Sequence, residues 1–563
     1  MKSIGQMAGT RLPRHLTARI ASWGAAPGAL VWQPAPPVAG DPAIARRLAN
    51  GILLLEGRLV ETEAATPWDI DAPDATWEAA LHGHAWLDHV AATEDPRLWA
   101  HFRRWMWEWL DRYGEGEGPG WSPDLVSRRL TRWIAYSVQL LNGAQSEDSA
   151  RFFRALGVQA RYVDWRWPET TPGVPRIEAL AGLVYAHLSL EGAGPETERS
   201  IAELGREADA VVQADGSVSS RSPEALARVV SVLAWSLRSI EEAGRTPAGT
   251  HALAIKRALP VWRALRHPSG ALARFHGGRP GLDLPMEDIE QAAGLTIETP
   301  RAAPMGYRRL QEGDSVLIAD CAAPPAGIHA ASAHASPLAI EFSHADQPII
   351  VNSGPGLGFG PKTGVTARQT AAHSMIEIGG ACPSQLHATS GDPLLLLPAR
   401  VTARVSHDAR GTWLLADSTH YEARFGLKTE RRIRLSRDGV RLEGEDTALA
   451  TSAQTRALAA ETLGDKAKPM ALRFHIHPDI RVALALNGRA VSLRLPDGAL
   501  WMFSADADKL AVHPSRYFDE DRPKPRATSQ IVASSSLLEY WGRITWSLER
   551  LPDGTSPLQM QVQ

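Results

Sequence analysis

IHAASAHASPLAIEFSHADQPIIVNSG (residues 328–354) and, beyond a glycine-rich loop, RQTAAHSMIEI (residues 368–378) decide how the second half of this chain folds. In both stretches polar residues punctuate short apolar runs where packing alone does not require them. From His334 the pattern alternates, with Ser336, Leu338, Ile340 and Phe342 on one face, the two-residue period of a half-buried strand. A turn is expected over residues 345–348, then a second strand over residues 349–351 that ends at Asn352, Ser353 and Gly354. In an antiparallel hairpin the start of one strand and the end of the next share one end of the sheet, so His334 and Asn352 become neighbours. Arg368, Thr370 and His373 return just before another strand-like run. Two imidazoles and an amide are thus expected to converge at one sheet end.

Working outward, the chain from about Gly306 onward consists of short alternating runs separated by turns. Asp438-Gly439, Asn487-Gly488, Asp497-Gly498 and Asp553-Gly554 are hairpin dipeptides, in which Gly supplies positive φ without a steric cost. Many short strands at this spacing predict an antiparallel β-sandwich over residues 301–563. Upstream the period is helical. Leu98, Phe102, Trp105 and Trp109 share a face before Gly114. Leu226, Val229, Val230, Leu233, Leu237 and Ile240 form a second stripe, with Ser222 and Pro223 at its start and Gly244 at its end. Such helices joined by short loops predict an α-solenoid or incomplete α/α toroid over residues 65–300. Residues 1–64, punctuated by Pro and Arg, read as an extension packed on it. Helices first and strands second make an α+β multidomain chain with segregated domains.

At 563 residues the chain is too long for one ordinary core. A net charge of −3 gives no support to nucleic-acid binding, although a local basic groove for a polyanion is compatible with it. Cys321 and Cys382 are the two cysteines, too few for a disulfide framework or a zinc ribbon, and read as buried free thiols, with a pair formed in an oxidising compartment as the alternative. No run approaches the roughly 20 apolar residues that span a bilayer. The first 30 residues carry positive charge but no continuous apolar stretch, so no cleaved signal peptide is expected. Fifteen of the 19 tryptophans precede residue 265, which suits either a carbohydrate groove or a packed helical core. There is no phosphate-cradling G-x-x-x-x-G-K-S/T loop and no G-x-S-x-G elbow.

The segments SAHAS (residues 332–336), VNSG (351–354) and RQTAAH (368–373) resemble the H-x-H-A-D, V-D-S-G and R-x-T-A-A-H stretches of the heparinase II/III-like polysaccharide lyases. GPGWSPDLVSRRLTRWI, QADGSVSSRSPEAL, FHGG, GYRRLQEGDSVLIAD and LRFHIHP occur in the order that this family has them, so the resemblance covers most of the chain. It implies an α/α toroid followed by a layered antiparallel β-domain, with a cleft between them. It also implies β-elimination on an acidic, uronic-acid polysaccharide such as a glycosaminoglycan, and a periplasmic or cell-envelope location. The missing signal peptide makes the cytoplasm the alternative. In such chemistry a base removes the weakly acidic C5 proton, the uronate carboxylate is neutralised, and a Tyr or His serves the leaving oxygen at C4.

Carried over residue by residue, the resemblance implies His334, His373 and Tyr421 as catalytic residues, and Arg129, Asn352 and Arg368 as substrate-binding ones. It further implies zinc or another divalent metal on His334, Asn352 and His373. Three departures weaken it. Asn352 stands where relatives have a carboxylate, and a neutral amide is a poorer zinc ligand. Ser332 replaces the first histidine of H-x-H, with His329 a possible substitute. The loop PGLGFGPKTGVTAR holds Phe359 but no tyrosine. Structural roles are the alternative for each residue: a polar cluster fixed by Arg368 and Thr370, a packing role for Tyr421, and salt bridges between helices for Arg128 and Arg129. His82, His84, His89, His475 and His477 read as structural. The rival function is a catalytically degenerate polysaccharide-binding or envelope-biogenesis protein on the same fold.

Overall fold

Period-2 burial dominates the second half of the chain, as in β10 (Lys428–Ser436) and β11 (Arg441–Leu449), where inward and outward residues alternate along the whole strand. The computed structural model describes residues 12–36, 40–64, 66–279, 289–291, 305–382, 399–463 and 468–552. They fall into two compact units. One comprises residues 1–216, 227–259 and 282–297, the other residues 217–226, 260–281 and 298–563. The expected boundary at residue 300 lies outside the described residues. Residues 217–226 and 260–281, expected in the helical domain, group instead with the strands.

The first unit is helical apart from one small hairpin, β1 (Ile52–Leu55) with β2 (Arg58–Glu61). In the helix Pro96–Tyr113 the predicted face is buried at Phe102, Trp105 and Trp109, while Leu98 is half-buried. The Asp95 side chain caps that helix by accepting from the Arg97 N–H at 2.8 Å. The second stripe is buried at every expected position of the helix Pro223–Glu242, and Gly244 ends it in the left-handed region at φ 72°. Trp77, Trp109, Trp121 and Trp133 are fully buried together. The tryptophan excess is thus largely a packing feature, in which the indole N–H groups of Trp109 and Trp133 donate to His82 and His84.

The second unit stacks two eight-stranded antiparallel sheets over a shared apolar core. Its strands are β3 (Tyr307–Glu312), β4 (Ser315–Asp320), β5 (Ile340–His344), β6 (Gln347–Val351), β7 (Ile376–Ile378), β8 (Val401–Asp408), β9 (Gly411–Ser418), β10 and β11, followed by β12 (Pro469–Ile476), β13 (Arg481–Ala485) and β14 (Ala490–Arg494). The last four are β15 (Leu500–Asp506), β16 (Lys509–Tyr517), β17 (Arg526–Ser536) and β18 (Trp541–Arg550). One sheet runs β16-β17-β12-β6-β5-β4-β3, with β7 also on β12; the other runs β13-β14-β15-β18-β11-β10-β9-β8. Gly439, Gly488 and Gly498 take positive φ in the predicted turns. Asp553-Gly554 lies outside the described residues.

The hairpin of β5 and β6 is antiparallel, with Ala345 and Asp346 at its tip. The strand expected to start at His334 begins only at Ile340. Leu338 sits at φ 66° and the Ala339 N–H closes a turn onto the Ser336 carbonyl at 2.9 Å, which breaks the extended run. Every residue of β5 is buried, because its sheet is covered on both faces at this point.

Candidate functional site

The turn before β5 and the loop before β7 bring two imidazoles together. His334 Nδ1 lies 3.0 Å from His373 Nε2, with the rings edge to face. His373 Nδ1 lies 2.8 Å from the Gln369 carbonyl, so it carries the ring proton, and His334 must donate to His373. Arg368 positions this arrangement rather than facing a ligand. Its guanidinium holds the carbonyls of Ala330 at 2.8 Å and Ala333 at 2.9 Å, and Thr370 holds that of Ala335 at 3.2 Å.

Asn352, at the end of β6, meets the residue after His373. Its Oδ1 accepts from the Ser374 N–H at 3.0 Å, and its Nδ2 donates to Glu341 at 3.2 Å. Glu341 also accepts from the backbone N–H of Arg274 at 3.0 Å and lies 3.2 Å from His267 Nε2.

Four further residues of the cluster escaped the sequence reading. His276 Nδ1 accepts from the His334 N–H at 3.2 Å, which leaves its own proton on Nε2, 3.3 Å from Asp320. Asp320 is completely buried and also binds Arg221 and Ser336. Arg274 donates to the Phe518 carbonyl and stacks on Tyr517 at 3.9 Å. A signal for three of these existed, since Arg221, His276 and Asp320 lie in QADGSVSSRSPEAL, FHGG and GYRRLQEGDSVLIAD. What was lacking was the knowledge that these stretches meet.

Electrostatics keep the cluster neutral at its imidazoles. Burial, then His373, His276 and Arg368, hold His334 well below the ordinary histidine range. Burial pushes His373 down to about 4. Burial also pushes the Asp320 carboxyl up, but Arg221 and His276 outweigh it and hold the group well below the usual range. Among the described residues only His334 Nε2 of the imidazole pair has no hydrogen-bond partner, and as a base it is weak.

Tyr421 and Arg129 do not line an accessible site. Tyr421 is 1% exposed in the sandwich core and donates to the Ala381 carbonyl at 3.1 Å. Arg129 is 0% exposed in the helical unit. It binds Gln159, the His82 carbonyl and the Gly120 carbonyl, and stacks on Trp109 at 3.8 Å. Burial lowers its guanidinium to about 9, still charged at neutral pH. Arg128 makes an interhelical salt bridge to Glu178 at 2.5 Å. His329 is half-buried and Ser332 is exposed. His475 is structural: its ring nitrogens face Ser515 at 2.7 Å and the Ala371 carbonyl at 3.0 Å.

The donor set does not fit a divalent metal. The facing nitrogens of His334 and His373 are spent on each other, and the Asn352 carbonyl oxygen is spent on Ser374. No three His, Cys, Asp or Glu side chains group as a metal centre among the described residues.

Residues 296–547 match the family described as Heparinase II/III-like, C-terminal. This part of the chain is a heparinase II/III-like domain. The chain is 29% identical over 543 residues to FtsZ-localized protein C of Caulobacter vibrioides, covering 93% of this chain and 91% of that protein. Its fold is that of crystallised heparinase III, with a TM-score of 0.68 at 11% identity, covering 98% of this chain and 92% of that one. The heparan sulfate lyase HepC mutant from Pedobacter heparinus gives a TM-score of 0.59 at 13% identity, covering 98% and 90%. A helical region followed by two antiparallel sheets, with a heparinase-like second unit, is therefore the architecture. Among the described residues no helix is long and apolar enough to cross a membrane.

Proposed function

We propose that this chain is a lyase-derived protein of the cell envelope that recognises an acidic polysaccharide without cleaving it. The observation that carries this reading is that the heparinase-like imidazole pair spends all but one of its ring nitrogens on internal hydrogen bonds. Both nitrogens of His373 are hydrogen-bonded, Tyr421 is buried with its hydroxyl committed, and Ser332 and Asn352 stand where the family pattern has a histidine and a carboxylate. A proton-transfer group must reach its substrate within hydrogen-bond distance, and the burial of His373, Tyr421 and Asn352 supports their not doing so. The likeness to an FtsZ-localized protein supports a location alongside FtsZ.

The test incubates purified protein with a panel of uronic-acid polysaccharides. Absorbance near the unsaturated-uronate band reads cleavage, co-sedimentation reads binding, and co-sedimentation with FtsZ polymers reads association with FtsZ. Binding with flat absorbance is expected. A second reading, an active polysaccharide lyase, is favoured by the one unengaged lone pair at His334 Nε2. A rise in absorbance that His334→Ala abolishes, with the fold intact, would replace the first reading by the second.

A further inference from the structure

We infer that Glu341 and Asn352 are an exchanged carboxylate–amide pair, and that this exchange keeps the His334–His373 cluster free of divalent metal. Two converging imidazole nitrogens 3.0 Å apart are close to a metal half-site. Two neutral imidazoles and an amide, however, supply no charge to a dication. The negative charge is present, but one hydrogen bond away. Glu341 is 2% exposed and Asn352 is 0% exposed, and the amide of Asn352 points its N–H at Glu341 over 3.2 Å.

Glu341 cannot turn to serve as the ligand itself. One of its oxygens accepts from the backbone and side-chain N–H of Asn352, at 3.3 and 3.2 Å. The other accepts from the Arg274 N–H at 3.0 Å and faces His267 Nε2 at 3.2 Å. Releasing it strands four buried donors, each costly to leave unpaired. Nor is aspartate free to occupy position 352 while Glu341 remains. Two buried carboxylates about 3 Å apart do not both ionise. Asparagine is the side chain that satisfies Glu341 and the Ser374 N–H at once, and the loss of the metal ligand follows from that pairing.

The pair therefore predicts an order of zinc binding. Asn352→Asp gains an anion at the ligand position but meets Glu341, so it binds weakly. Asn352→Asp with Glu341→Gln reverses the polarity of the same hydrogen bond and supplies the anion unopposed. This stands apart from the polysaccharide reading, because a chain that cuts or one that only binds would equally satisfy it.

The experiment measures zinc by elemental analysis after equilibration in zinc buffer, together with the zinc-induced rise in thermal midpoint. It compares the wild type, the single variant, the double variant, and the double variant carrying His373→Ala. The expected result is little zinc on the wild type, more on the single variant, and about one per chain on the double variant, falling back to the wild-type level with His373→Ala. Near-stoichiometric zinc on the wild type, lost with His334→Ala, overturns the inference. So does a folded double variant that takes up no more zinc than the wild type. Should the double variant fail to fold, Asn352→Asp with Glu341→Ala replaces it, since the opposing carboxylate is then gone: a folded protein of this kind whose midpoint does not respond to zinc also overturns it.

Discussion

Arg431 of β10 and Asp446 of β11 form an ion pair at 2.6 Å with both side chains 1% exposed. Arg431 also donates to the carbonyls of Leu338 at 2.7 Å and Ser374 at 3.1 Å, and Trp546 donates to Asp446 at 2.9 Å. One sheet thus reaches through the sandwich and grips both backbone stretches that carry the imidazole pair.

Breaking that grip should be costly. Arg431→Met leaves a buried carboxylate and two carbonyls without their cation, and about 3–5 kcal/mol of stability is expected to be lost. Urea unfolding of the variant against the wild type checks this. A loss under about 1 kcal/mol, the range of an exposed pair, would show that the pair is hydrated in solution.

His373→Ala should act on stability in its own way. It strips the acceptor from the buried His334 Nδ1–H and the donor from the part-buried Gln369 carbonyl, for an expected loss of about 1–3 kcal/mol. Chemical denaturation measures it, and the drop should be smaller than that of Arg431→Met.

Acid should unfold the protein early. Burial pushes His82 and His475 down to about 3, and His187, His251, His373 and His420 down to about 4. The unfolded chain binds protons at these sites from about pH 6.5 downward, whereas the folded chain does not. Stability is therefore complete above about pH 6.5 and falls as pH drops toward 4, by roughly 1.4 kcal/mol per pH unit for each such group. Denaturation midpoints at pH 8, 7, 6 and 5 should be level between the first two and drop steeply after that. A flat profile down to pH 5 contradicts the buried, neutral imidazoles.

Tyr421→Phe removes only the hydrogen bond to Ala381. A loss of about 0.5–1.5 kcal/mol, with polysaccharide binding unchanged, is the expected outcome. A binding defect at full stability would return Tyr421 to the ligand site.

Periodicity was enough to read the order of helices and strands, because the stripe from Leu226 to Ile240 and the alternation in β10 and β11 are written directly in residue spacing. The turn at Leu338 was not legible, since Ser336-Pro337-Leu338 fits an alternating pattern as well as a break. The site was legible in part. His334 and His373 lie only 39 residues apart in one motif-bearing stretch, which made their meeting readable. Arg221 meets Asp320 across a separation of 99 residues, and Arg274 meets Phe518 across 244, and no local pattern encodes such pairings. Arg129 was misread because a guanidinium over an indole reads the same in sequence whether it faces a ligand or a core.

Residues 217–226 and 260–281 leave the helical unit's stretch of chain and fold with the strands. The heparinase-like domain is consequently not an excisable module. A gene fragment opening at its family boundary omits Arg221, His267, Arg274 and His276, and would leave Asp320 with Ser336 but without its cation, and Glu341 with only the N–H groups of Asn352. Such a fragment should emerge insoluble or molten. Shuffling this domain between proteins by a single crossover would fail for the same reason, so the two halves are bound to be inherited as one piece.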